Sequence, residues 1–169
     1  MKFIPWSRVK SWQCLGCGDC CRYTVQLSVK DWVNITRAYG YGMAIQSIGG
    51  FYLRKTVDGL CPFLIKSQHR YFCSIQHMKP IACELWPFKI LIEPKYGNPN
   101  EAYFTIRNQD FKSKNRYKSH IKGFYIYVNP RCRGVLWGKP NAVFINHVLV
   151  EFINIRLGLQ RKQHYSTSK

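Results

Sequence analysis

The run Cys14-Leu15-Gly16-Cys17-Gly18-Asp19-Cys20-Cys21 places four of the chain's eight cysteines within eight residues. Cysteines used only for packing have no reason to cluster in this way. A Cys-x-x-Cys-x-x-Cys spacing lets a short loop curl until three sulfurs face one point. Gly16 and Gly18 supply permissive backbone angles where that loop must bend. Their N–H groups can also point toward sulfur, as in anion-binding nests. The remaining cysteines are single and widely spaced, at Cys61, Cys73, Cys83 and Cys132.

Cysteines grouped this closely bind metal or do redox work in a reducing compartment, and form disulfides in an oxidising one. The spacing favours metal. A zinc ribbon usually shows two Cys-x-x-Cys pairs, and only one is present here, so a 4Fe-4S cubane cluster is preferred, with zinc as the alternative. Bacterial ferredoxins use the same three-cysteine spacing and draw a further ligand from a remote Cys-Pro. Cys61-Pro62 has that form. All eight cysteines, Cys14, Cys17, Cys20, Cys21, Cys61, Cys73, Cys83 and Cys132, are candidate ligands. One site would use Cys14, Cys17 and Cys20 or Cys21 with a remote fourth, and a second would use the rest. Spacing leaves open which cysteines share a site.

A chain of 169 residues with 46% hydrophobic side chains has apolar surface enough for a core, and its length fits a single domain, 1–169. Aromatics at 15% fill a small core with few residues and can wall a metal site from water. The net charge of +18 favours polyanionic partners. Two four-thiolate sites of about −2 each would lower it only to about +14. Neither a signal-peptide stretch nor a membrane-length apolar run is evident. The expectation is a cytoplasmic protein with an unidentified protein or redox partner and no membrane association.

Sequence patterns predict an α+β fold: a small, mostly antiparallel sheet with flanking helices and cysteine-bearing loops around a metal site. Ser28-Val29-Lys30-Asp31 reads as a capping box opening a helix that Gly40 ends. A second short helix is expected over Met43–Ile48, stopped by Gly49-Gly50, and a strand over Phe51–Thr56. Cys61–Ile65 and Arg70–Cys73 read as a hairpin around Lys66–His69. Pro80 fits the first turn of a short helix carrying Cys83. Phe88–Ile92 and Glu101–Ile106 read as strands joined by the turn Tyr96–Pro99, with another strand over Phe124–Val128. A C-terminal helix is expected over 141–160, with Phe144, Val148, Phe152, Ile155 and Leu159 on one apolar stripe.

Outside the cysteines the signals are weaker. Lys112, Lys114, Arg116, Lys118 and Lys122, with Tyr117 and His120 among them, interleave cations and aromatics as single-stranded nucleic-acid surfaces do. A solvated loop explains the same residues, and no nucleic-acid fold signature accompanies them. His69 and His77 lie near Cys73 and are either spare ligands or surface histidines. Asp19 is either a ligand or a turn former. No Ser-His-Asp set or carboxylate pair can be assembled from the spacing.

Taken together, the cysteine blocks resemble a family named after its Cys-x-x-Cys-x-x-Cys-Cys signature and described as zinc- or iron-chelating. Cys14 to Arg22 matches the signature. Asp58-Gly59-Leu60-Cys61-Pro62-Phe63-Leu64 resembles the second block. Cys73-Ser74-Ile75 through Lys79-Pro80-Ile81-Ala82-Cys83 to Trp86-Pro87-Phe88 resembles the third, and Cys132-Arg133-Gly134 the last. These blocks make 14–134 the metal-binding region. Lys79 and Glu84 stand where the family often has arginine, which weakens the case for a substrate-binding role there and leaves the thiols untouched. The resemblance implies an iron–sulfur oxidoreductase or, through a related group, a flagellin lysine N-methylase-like enzyme with a structural metal. No glycine-rich nucleotide fingerprint is present to support the second. A zinc-containing nucleic-acid-binding module is the third reading.

Overall fold

A computed structural model describes residues 3–105 and 123–159. The basic segment from Lys112 to Lys122 and the tail from Arg161 onward lie outside the described residues. In chain order the elements begin with β1 (Ile4–Pro5), β2 (Val9–Trp12), β3 (Gln26–Leu27) and α1 (Val29–Tyr39). β4 (Ala44–Ser47), β5 (Gly50–Leu53), β6 (Leu64–Ser67), β7 (Arg70–Cys73) and α2 (Ile81–Glu84) follow. The rest are β8 (Phe88–Leu91), α3 (Pro99–Ala102), β9 (Tyr103–Thr105), β10 (Gly123–Val128), β11 (Val135–Trp137) and α4 (Val150–Arg156). Every strand pairing is antiparallel and the strands form four small sheets among the described residues, so the chain is α+β. No described helix is long and apolar enough to cross a membrane.

Two compact units emerge. The first draws its described residues from Met1–Cys14 and Pro87–Lys169, and the second is Leu15–Trp86. In the first, β10 is central. It pairs with β8 on one side and with β1 and β9 on the other. Five of its six residues are buried, as expected of a strand covered on both faces. A separate ribbon joins β2 to β11. The core is aromatic. Trp12 packs edge-on to Phe88 at 5.4 Å and Phe152 at 5.1 Å, and Phe88 lies 4.4 Å from Phe152. Phe152 comes from α4, which continues a wider π-helical turn over Phe144–Leu149. Four of the five predicted stripe residues, Phe144, Val148, Phe152 and Ile155, are buried, but the helix stops at Arg156 rather than 160, ahead of Gly158 with its φ of +71°, so Leu159 lies beyond it and is half-buried.

The second unit packs α1 beside the sheet β3-β5-β4, with the hairpin β6-β7 and α2 completing it. Val25, Leu27, Ile35, Ala44, Leu53, Cys61, Phe63 and Ile75 form its core. Cys21, Cys73 and Cys83 pack against that core, so the cysteines sit at its border. α1 opens with the expected capping box. The Ser28 hydroxyl accepts from the Asp31 N–H at 3.1 Å, and the Asp31 carboxylate accepts from the Ser28 N–H at 3.2 Å. The same carboxylate accepts a further, longer bond from the Ile81 N–H at 3.4 Å. A cap on α1 thereby also fixes the start of α2, the helix that carries Cys83.

Two expectations are corrected. Met43–Ile48 is not a helix: a 3-10 turn over Tyr41–Met43 gives way to β4. The glycines read as a helix stop instead belong to a hairpin turn, Ile48-Gly49, that pairs Ser47 with Gly50. The strands on either side of Tyr96–Pro99 do not pair with each other; both pair with β10. The second begins only at Tyr103, because the Asn98 side chain caps a helical turn with Pro99 in its first position.

Removing the Phe152 ring opens a cavity among Trp12, Phe88 and α4. We expect Phe152→Ala to cost about 3–5 kcal/mol in urea unfolding; a cost under about 1 kcal/mol would mean that this aromatic cluster is not the core of the first unit.

Candidate metal centre

The cysteine run folds as its glycines require. Gly16 and Gly18 adopt φ of +62° and +73°, the left-handed region where a side chain is strained. Their bare Cα atoms form a notch for Tyr71 of β7. A Cβ on Gly18 would lie 3.0 Å from the Tyr71 ring, and the Tyr71 N–H donates to the Gly16 carbonyl at 2.8 Å. Tyr71 is two residues before Cys73, so this seat brings the hairpin's cysteine to the loop. The loop then closes into a 3-10 turn, Asp19–Arg22, with the Cys21 N–H donating to the Gly18 carbonyl at 2.9 Å.

Two more ties gather the remaining segments. The Cys61 N–H donates to the Cys21 carbonyl at 3.0 Å. Tyr23 and Trp86 stack at 4.6 Å, linking the stretch after Cys21 to the stretch after Cys83. Pro80 starts α2 as predicted, and the Cys83 N–H donates to its carbonyl at 2.9 Å.

The thiols of Cys20 and Cys61 both hydrogen-bond to the Cys21 thiol. That shared donor lowers Cys20 to about 6 and Cys61 to about 7, while Cys21, facing two sulfurs that compete for its proton, is raised far above the ordinary thiol value. Burial raises Cys73 and pushes Cys83 up to about 12. Cys83 senses the charges of Cys20, Cys61 and Cys73, so these thiols form one electrostatic group. Two cations face it. Lys79 acts on Cys20, Cys73 and Cys83, and Lys55 on Cys61.

The structure thus brings Cys20, Cys21, Cys61, Cys73 and Cys83 together. Cys17 lies half-buried between the notch glycines. Cys14 and Cys132 belong to the first unit, where the Gln13 N–H donates to the Gly134 carbonyl at 3.1 Å and their two segments run side by side. A Cβ on Gly134 would collide with the Gln13 carbonyl oxygen, so only glycine allows that approach. His69 and His77 are exposed in turns, and Asp19 opens the 3-10 turn. Tyr71, Asp31 at the start of α2 and Lys55 carry no signal legible in the sequence; each acts through a contact distant in the chain.

A group of soft sulfur donors, two of them ionised near neutral pH, suits zinc or iron chemically. Among the described residues, no three Cys, His, Asp or Glu side chains form a finished shell for a single metal ion. The second unit therefore gathers the thiols without closing them on one point.

A metal taken up by these thiols would displace the protons held by Cys21, Cys73 and Cys83. Adding zinc or ferrous ion to metal-free protein at pH 7 should therefore release protons, and affinity should weaken as pH falls through 7 and then 6, where Cys61 and Cys20 are protonated in turn. Calorimetry in buffers of differing ionisation enthalpy measures this; pH-independent affinity would contradict it. Gly18→Ala should lower both metal content and Tm, because it adds about 1–2 kcal/mol of backbone strain and a clash with Tyr71. Gly59→Ala is the control, with a similar φ of +71° but open space around it. Equal metal retention by the two variants would show that the notch is dispensable.

No curated protein and no solved structure matches the chain. A family model described as a putative zinc- or iron-chelating domain matches residues 13–132, a span that contains all eight cysteines and most of the sequence. The chain is a member of the CxxCxxCC family of metal-chelating domains.

Proposed function

We propose that the second unit holds an iron–sulfur cluster, with its ligands drawn from Cys20, Cys21, Cys61, Cys73 and Cys83, and that the protein serves electron transfer or cluster-dependent chemistry on a partner. The observation that carries this reading is the convergence of five thiols from four separate stretches of chain. Zinc takes four sulfurs at about 2.3 Å around one point, a tight shell. A set of sulfurs larger than one zinc ion uses suits the larger body of a cluster. Single cysteines on separate segments, in place of a second Cys-x-x-Cys pair, point the same way.

Such a cluster, when bound, accepts and releases one electron at a potential set by charge, hydrogen bonding and exposure. This chain's own residues supply those settings. Lys55 and Lys79 place positive charge near the sulfurs, burial of Cys61 and partial burial of Cys83 limit water, and Tyr23 and Trp86 form an aromatic wall. The strongly basic chain fits an acidic redox partner.

Anaerobic purification with a visible spectrum and iron, sulfide and zinc analysis tests the reading. Brown protein with a broad band near about 400 nm and acid-labile sulfide is expected. Colourless protein with stoichiometric zinc would replace the cluster by a structural zinc site. Because a ligand that binds only the folded state stabilises it, stripping the metal should lower Tm by roughly 10 °C or more. A metal-free form melting as high as the loaded one would overturn the structural role.

A further inference from the structure

We infer that Lys55, which lies in none of the cysteine blocks, is a positioning and charge-compensating residue of the metal centre. This rests on the reading that the second unit binds its metal through thiolates. The half-buried Lys55 ammonium donates to the Cys21 carbonyl at 2.6 Å, across 34 residues of chain. The same carbonyl accepts from the Cys61 N–H at 3.0 Å. One oxygen therefore takes two donors, and the strands of chain bearing Cys21 and Cys61 meet on it. A carbonyl carries two lone pairs, so both bonds can be made at once.

The charge matters as well as the tie. Holding an ammonium partly out of water against a neutral carbonyl is costly, because the carbonyl supplies only a dipole. The cost falls when a negative centre lies beside it. Thiolates holding a cluster or zinc carry about −2 overall, and Lys55 stands next to the first of the remote ligands to join the run. Its ammonium then neutralises part of that charge and orients the Cys21 backbone that the ligands share. Outer residues of this kind usually change metal affinity about 10- to 100-fold when removed. A neutral group at the same place would also make reduction, which adds negative charge, harder.

The test compares Lys55→Met and Lys55→Arg with the unaltered protein, each loaded with metal anaerobically. Lys66→Met, which removes an exposed lysine of the same unit, controls for net charge. Two quantities are read: the rate of metal loss to a chromogenic chelator, and the midpoint potential by spectroscopic titration. Lys55→Met should lose metal about tenfold faster and, if the centre is a cluster, titrate at a more negative potential. Lys55→Arg should restore both to near the unaltered values, and Lys66→Met should match the unaltered protein. Equal metal retention and equal potential in Lys55→Met would overturn the assignment, as would an arginine variant no better than methionine. Unaltered protein that binds no metal at all would instead overturn the metal-centre reading and this inference with it.

Discussion

The carbonyl of Cys21 is the junction on which the second unit's thiol group depends. It receives the Cys61 N–H and the Lys55 ammonium, so the end of the cysteine run, the stretch after β5 and the loop before β6 all meet at one atom. Tyr71 performs the matching task on the other side of the run, where its N–H and ring occupy the glycine notch. Between these two anchors the 3-10 turn has little freedom, and Cys20 and Cys21 are presented to the remote cysteines by backbone bonds. Side-chain attraction between thiols is too weak to do this alone. The backbone ties must be in place for the sulfurs to share protons as they do.

Charge then decides what the gathered sulfurs can become. Five neutral thiols would be a modest apolar patch at the border of the core. Ionising two of them in one place costs repulsion, yet Cys20 and Cys61 sit below the ordinary thiol value because Cys21 donates toward both and lysines stand nearby. The site is therefore prepared for more negative charge than an isolated cysteine tolerates. On the proposed reading, a bound cation would complete that arrangement by replacing the protons on Cys21, Cys73 and Cys83 with a charge that the sulfurs share. Lys79 reaches three of the thiols electrostatically and favours their ionised form.

What the sequence disclosed was local. The capping box at Ser28 and Asp31, the hairpin before Cys73, Pro80 at the head of α2 and the stripe from Phe144 to Ile155 are each written within a dozen or so neighbouring residues. Their patterns are set by helical or strand periodicity and by turn chemistry. The cysteines were legible because clustered sulfur has few uses. What stayed hidden depended on distance. β2 pairs with β11 across more than a hundred residues, and neither short strand carries a pattern of its own. Ile48-Gly49-Gly50 looked like a helix stop because glycine ends helices and turns hairpins alike; only pairing with β5 tells them apart. Lys55 resembled every other cation in a chain of 26 basic residues, and only its bond to Cys21 distinguishes it.

The two units differ in what holds them together, and that difference gives the metal its structural meaning. The first unit closes around Trp12, Phe88, Phe144 and Phe152, large rings that exclude much water per residue ordered. The second has about 70 residues, two-stranded and three-stranded sheets, one helix of any length, and a core of eight buried residues that includes Cys61. Units of that size bury too small a fraction of their surface to be comfortably stable on apolar contacts alone, and commonly recruit metals or disulfides. Its cysteines come from segments up to some sixty residues apart, so joining them through one centre removes a large share of the unfolded chain's freedom. On the proposed reading, binding and folding of the second unit would be aspects of one equilibrium, and the metal and this unit's stability would be linked through the same few sulfur atoms.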